Sequence, residues 1–220
     1  MTDARKLAAY TDHTLLKPES TWKQVRAVCD EAAEWSAASV CISPVFVKSA
    51  RAYLKDRARI STVIGFPHGC CETAVKVYEA RLAVDNGADE LDMVINIGAL
   101  KEGDLGYVSR EIGAVREACD GKVLKVIIET CLLTREEKLS MCRVVTDTGA
   151  DFIKTSTGFS TGGATFEDVR LLAENVGEGV RVKASGGIST LRDAEEFIRL
   201  GASRLGTSRV IGLLKKAGYD

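Results

Sequence analysis

Proline is scarce, with 3 residues in 220, and aromatic side chains make up only 6% of the chain. With no Ser/Pro-rich stretch there is no obvious linker, so one domain over residues 1–220 is expected. Long apolar runs are missing too. None approaches the roughly 18 residues needed to cross a bilayer. The first ten residues carry Asp3, Arg5 and Lys6 and lack the apolar centre of a secretory leader. Net charge is almost nil: 30 basic side chains face 31 acidic ones, leaving −1. This argues against general attachment to nucleic acid or an anionic membrane, and leaves room only for a local patch. What remains is a 45% hydrophobic chain able to bury a sizeable core without disulfides. Its 7 cysteines, an odd number, are expected as free thiols in a reducing cytoplasm.

What is present is alternation. Eight short β-branched runs, at Thr11–Leu16, Ser39–Ile42, Ile60–Gly65, Ala88–Ile95, Val123–Glu129, Asp151–Thr155, Val180–Ala184 and Arg204–Gly206, predict strands. Helical periodicity follows each, at about 21–36, 44–56, 72–86, 104–119, 134–148, 165–175, 190–200 and 208–217. Thr134 with Glu137 has capping-box spacing. Asn86-Gly87-Ala88-Asp89, Thr148-Gly149-Ala150-Asp151 and Leu200-Gly201-Ala202-Ser203 end helices on a glycine and turn straight into a strand. With Ala37-Ala38-Ser39 they form a weak repeat of one junction every two βα units. Alternating βα units require a parallel sheet. Eight of them predict an α/β fold, a single (β/α)8 TIM barrel. The alternative is an open doubly wound sheet, but no Gly-x-Gly-x-x-Gly separates the first strand from its helix.

In a barrel the working residues lie at the C-terminal ends of strands. Strands covered on both faces should be nearly all apolar. Asp92 in the fourth strand, Lys154 in the sixth and Lys183 in the seventh break that rule. A buried charge without a partner costs several kcal/mol, so each needs a partner or a use. A structural ion-pair network is one explanation. Chemistry is the other. A free lysine, with pKa about 10.4, is a neutral nucleophile in only about one molecule in 2,500 at pH 7. Burial and a second ammonium nearby raise that fraction, and a drop of about 3 pKa units represents roughly 4 kcal/mol. Lys154 and Lys183 on adjacent strands therefore suit a Schiff-base amine acting on a carbonyl compound, with Asp92 relaying protons. Thr157-Gly158, Ser185-Gly186-Gly187 and Gly206-Thr207-Ser208 follow strands 6, 7 and 8. Loops after strands 7 and 8 commonly cradle phosphate in this fold.

These segments resemble the deoxyribose-phosphate aldolase family. The similarity rests on Leu91-Asp92-Met93-Val94-Ile95-Asn96, Lys154-Thr155-Ser156-Thr157-Gly158 and Val182-Lys183-Ala184-Ser185-Gly186-Gly187-Ile188. It extends to Asp12-His13-Thr14-Leu15-Leu16, Val40-Cys41-Ile42-Ser43-Pro44 and Val126-Ile127-Ile128-Glu129-Thr130. The resemblance implies a class I aldolase with no metal and no other cofactor. It would interconvert 2-deoxy-D-ribose 5-phosphate with acetaldehyde and D-glyceraldehyde 3-phosphate. On the family pattern Lys154 forms the Schiff base, Lys183 is the neighbouring cation and Asp92 works with it in proton transfer. Asp12 faces the substrate hydroxyls, and Thr157, Gly158, Ser185, Gly186, Gly187, Gly206 and Ser208 bind substrate, mainly its phosphate. The expected partners are these small molecules and further copies of the chain, as a homodimer or higher homo-oligomer. Some members carry a lysine after Thr-Gly where this chain has Phe159, which shifts phosphate binding onto backbone N–H groups and Arg209. Some use a tyrosine near the C-terminus, which Tyr219 would match.

Other residues invite weaker readings. His68-Gly69-Cys70-Cys71 holds soft ligands, yet fewer than a structural zinc site needs. Cys41, near the end of strand 2, is expected as a small core residue or as a thiol that aldehydes attack. Glu90, Lys125 and Arg181 are expected one layer beneath the catalytic charges, as a supporting ion network. A transaldolase, a sugar-phosphate isomerase or a non-catalytic phosphometabolite-binding barrel would share the glycine rim, but an isomerase or a binding barrel would not need Lys154.

Overall fold

Short runs that mix apolar, often β-branched, residues with polar or charged ones become strands whose two faces meet different surroundings. The structure, a computed structural model, describes residues 4–219. The order is α1 (Ala4–Ala9), β1 (Thr11–Leu15), α2 (Trp22–Glu34), β2 (Ser39–Ile42), α3 (Val47–Leu54), β3 (Ile60–Ile64), α4 (Thr73–Asp85), β4 (Glu90–Val94) and α5 (Ile97–Lys101). It continues through α6 (Leu105–Ala118), β5 (Val123–Ile127), α7 (Arg135–Asp147), β6 (Phe152–Lys154), α8 (Phe166–Asn175), β7 (Arg181–Ser185), α9 (Leu191–Arg199), β8 (Ala202–Thr207) and α10 (Val210–Lys216). The strands pair in parallel in sequence order, and β8 returns to β1, closing the barrel. This is the expected (β/α)8 architecture. The short helices α1 and α5 were not foreseen, because six and five residues are too few to register as a period.

The repeated helix–strand junctions have a physical role. The Asp89 carboxylate accepts the Ile60 N–H at 2.8 Å, while its own N–H donates to the Ile60 carbonyl at 2.8 Å. Asp151 does the same at Leu124, at 2.8 and 3.0 Å. Each aspartate thus ties the start of its strand to the start of the preceding one. Arg51 and Arg116 brace the two carboxylates from the helix side. Gly87, at φ +98°, supplies the left-handed turn. A Cβ there would lie 2.7 Å from Arg51 Cγ.

The apolar core lies outside the barrel wall. Val40, Leu91, Val126 and Ile153 point outward from their strands and are fully buried against helix residues such as Val25, Ile112 and Met141. The inward faces are mixed. Asp12, Ser39, Ser61, Glu90, Asp92, Lys125, Lys154 and Lys183 are all buried inside the ring, with Cys41, Val63, Ile127 and Phe152 among them.

Candidate active site

Register places the charges. Lys154 on β6 lies directly opposite Lys183 on β7, and Asp92 on β4 lies opposite Lys125 on β5. Residues in register on neighbouring parallel strands point to the same side, so all four side chains project into the barrel. Asp92 is their common centre. Its Oδ2 accepts from Lys154 Nζ at 2.8 Å and Lys183 Nζ at 2.6 Å, and its Oδ1 from Lys125 Nζ at 2.7 Å. Asp12 accepts from Lys183 at 2.5 Å, from Ser39 at 2.7 Å and from Arg204 at 2.6 Å. Glu90 pairs with Lys125 at 2.7 Å and Arg204 at 2.7 Å.

Inside the ring three carboxylates meet four cations, and Arg59 reaches Glu90 from outside only at 4.0 Å. Neutralising one of the four balances them, and among the four Lys154 is the one with a single carboxylate partner. Burial pulls the Lys154 ammonium below its ordinary pKa and Lys183 adds to that pull, against the opposing field of Asp92. Burial acts on Lys183 in the same sense, but Asp12 and Asp92 outweigh it and hold that ammonium above the usual lysine range. Burial also opposes ionisation of Asp92, and Lys125, Lys154 and Lys183 overcome it, keeping the carboxyl well below its ordinary range. The environment therefore drives the two neighbouring lysines in opposite directions: one towards an amine, the other fixed as an ammonium.

Above this layer opens a cleft of about 440 Å³ at the C-terminal end of the strands. Lys154 is its floor, the one member of the buried network that reaches it. Thr157, Gly158, Ser185, Gly186, Gly187, Gly206 and Ser208 all line it. Gly186 and Gly187 are consecutively left-handed, at φ +72° and +74°. A Cβ on Gly206 would lie 2.0 Å from Ser185 Oγ and 3.0 Å from Lys183 Cε, so this glycine makes room for both side chains. Phe159 closes one wall and meets Phe66 edge-on, with ring centroids 5.3 Å apart. Arg209 lies on the rim and donates to Ser189 Oγ at 3.3 Å.

Other expectations fare differently. Asp12 does not line the cleft; both its oxygens are engaged in the ion layer beneath it. Tyr219 is half-buried against the apolar core and does not line the cleft. Cys41 is buried, and burial pushes its thiol above the ordinary range. Among the described residues no group of three or more His, Cys, Asp or Glu side chains is placed to hold a metal ion. Arg181 is a correction. It begins β7, is exposed, and stacks on the Phe152 ring at 4.0 Å, outside the carboxylate network. Arg204 takes the expected place beside Glu90 and Lys125. The β7–β8 register slips between Val182 and Lys183, so Ser203 is bulged and Arg204 faces inward next to Lys183.

Sequence reasoning also missed Glu129. It is buried in a left-handed conformation at φ 54°, and its carboxylate accepts both the N–H and the hydroxyl of Thr157, the latter at 2.5 Å. An acid closing an apolar strand was the available signal.

The family model described as DeoC/LacD family aldolase matches residues 6–214. The chain belongs to this aldolase family. It is an aldolase, and hence a lyase. It is 54% identical over 213 residues to the deoxyribose-phosphate aldolase of Streptococcus agalactiae serotype Ia, covering 97% of this chain and 96% of that one. It is 54% identical over 204 residues to that of Clostridioides difficile, covering 93% of each. Among solved structures, it superposes on the tetrameric deoxyribose phosphate aldolase of Aeropyrum pernix with a TM-score of 0.92 at 31% identity, covering 98% of this aldolase and 92% of that one. Among the described residues of the aldolase, no helix is long and apolar enough to cross a membrane.

Proposed function

We propose that the enzyme is a Schiff-base aldolase that reversibly cleaves 2-deoxy-D-ribose 5-phosphate to acetaldehyde and D-glyceraldehyde 3-phosphate. The reading rests above all on Lys154: a lysine at the cleft floor, pulled towards its neutral form, beside a second lysine held as a cation. The neutral amine adds to the C1 carbonyl of the open-chain sugar, and the carbinolamine loses water to give an iminium ion. A base removes the C3 hydroxyl proton, the C2–C3 bond breaks, and its electron pair flows into the iminium as an enamine. Glyceraldehyde 3-phosphate leaves. Protonation at C2 and addition of water release acetaldehyde and return the amine. The Lys183 ammonium and Asp92 carboxylate, 2.6 Å apart, are a donor and an acceptor for these transfers.

The glycine rim and the hydroxyls of Thr157, Ser185 and Ser208 are the proposed seat of the phosphate end, with Arg209 adding charge. Asp12 acts in this reading through Lys183, since its oxygens are already engaged. No cofactor takes part. Seven free cysteines suit a reducing cytoplasm, and the tetrameric A. pernix relative supports a homo-oligomer, a dimer or larger. Treatment with acetaldehyde and borohydride, followed by peptide mass mapping, tests the chemistry. A reduced two-carbon adduct on Lys154 is expected; equal labelling of surface lysines, or none, overturns it.

A further inference from the structure

The opposite end of the barrel carries a second feature. A basin of about 430 Å³ opens at the N-terminal ends of the strands, lined by Ala9, Ser36, Ala37, Ala38, Asp56, Arg57, Ala58, Arg59 and Arg204. Three arginines line it with one acidic residue, Asp56. Arg57 and Arg59 are exposed here, and Arg204 is buried behind them.

The residues that line the basin carry three positive charges and one negative. Glu90, at its inner edge, answers three cations: Lys125 at 2.7 Å, Arg204 at 2.7 Å and Arg59 at 4.0 Å. Lys125 is also neutralised by Asp92, and Arg204 by Asp12. Arg59 keeps only the long contact and its side chain is 70% exposed. Arg57 is half-exposed; it reaches Asp30 at 3.5 Å, donates to the Tyr53 carbonyl at 3.3 Å and lies over the Tyr53 ring at 5.1 Å. Arg181 adds a further cation to the same end, 4.0 Å from the Phe152 ring centroid, and the Arg204 guanidinium carbon lies 5.3 Å from the same ring. Planar guanidinium forks match tetrahedral oxyanions by paired N–H donors.

We propose that this basin binds a small oxyanion, inorganic phosphate or the phosphate group of a small ester, between Arg59, Arg57 and the outer edge of Arg204. The site is separate from the substrate cleft, at the other end of the barrel. Its occupant would sit one guanidinium away from Asp12, since Arg204 Nη1 bridges Asp12 and Glu90.

Arginine labelling by phenylglyoxal, mapped by mass, tests the site in the intact enzyme. Inorganic phosphate is compared with potassium chloride at equal ionic strength. Phosphate is expected to slow labelling of Arg57 and Arg59 at least fivefold, with less than a twofold change at Arg143, an exposed residue of α7. Arg59→Gln, which leaves the catalytic contacts intact, is expected to abolish the protection of Arg57. The proposal is overturned if Arg57 and Arg59 slow no more than Arg143, or if Arg57 stays protected in Arg59→Gln. Arg209 reports the substrate rim in the same digest, so protection of Arg209 alone overturns the basin site and leaves the sugar-phosphate reading standing.

Discussion

Lys154 and Lys183 share a single oxygen atom, Asp92 Oδ2, at 2.8 and 2.6 Å. Two ammonium groups on one acceptor repel each other, and the one with fewer carboxylate partners yields its proton first. This makes the pH response of the site predictable in sign. Lys183 depresses the Lys154 pKa and Asp92 raises it. In Lys183→Met the pH at which acetaldehyde imine forms on Lys154, followed by borohydride trapping, should move up. In Asp92→Asn it should move down. Both variants should lose about 10²–10⁴-fold in turnover, the usual worth of a proton-transfer group. Shifts of the same sign in the two variants would refute the shared-oxygen account.

Gly206→Ala tests the room that the glycine leaves. Its Cβ would meet Ser185 Oγ at 2.0 Å and Lys183 Cε at 3.0 Å. Overpacking of this kind costs about 1–3 kcal/mol. Turnover should fall more than the remaining folded fraction explains, because Lys183 is displaced from Asp92. Full activity in a folded variant would show that Lys183 tolerates movement.

Phe159→Lys would put an ammonium at the mouth of the cleft. A hydrogen bond to a charged group adds about 1.5–3 kcal/mol. The ratio of kcat/KM for phosphorylated over free deoxyribose should rise about tenfold or more. A change below twofold would place the phosphate away from position 159. The variant also loses the edge contact with Phe66, worth about 0.5–1.5 kcal/mol, so its Tm should fall slightly.

Acid should unfold the enzyme through its interior. Burial opposes ionisation of Asp12, but Lys183, Lys125 and Arg204 hold its folded pKa below the ordinary value. A carboxylate whose pKa is depressed on folding contributes stability above its unfolded pKa of about 3.9, and loses it as pH falls through the folded value. Urea midpoints should therefore drop as pH falls below about 4. Asp12→Asn should be destabilised by about 3–5 kcal/mol at pH 7, with a flatter dependence over that acid range. Parallel curves for the two proteins would remove Asp12 as the cause.

Much of this was legible in the sequence, for identifiable reasons. All eight strands were located because β-branched runs and helical periods alternate without exception. Lys154, Lys183 and Asp92 stood out because charges are rare in strands covered on both faces. Arg204 was missed because a bulge at Ser203 breaks the two-residue alternation, and a bulge has no signature in the side chains alone. Arg181 was misplaced by the same logic, since alternation gives its face but not its depth. Glu129 was hidden because its partner, Thr157, lies 28 residues along the chain. The excess of one cation inside the ring, four against three carboxylates, depends on distances that no periodicity encodes.

The closure of the barrel has a consequence for how the site comes into being. Asp12 comes from the first strand, and its partners Lys183 and Arg204 lie 171 and 192 residues away. A chain emerging from synthesis holds Asp12 and Asp92 long before it holds the last two cations. Until β7 and β8 join the ring, Asp12 lacks both of these cations and Lys154 lacks its ammonium neighbour on β7. The lowered Lys154 amine thus comes into being with the finished ring, because its burial and its ammonium neighbour both depend on the last strands.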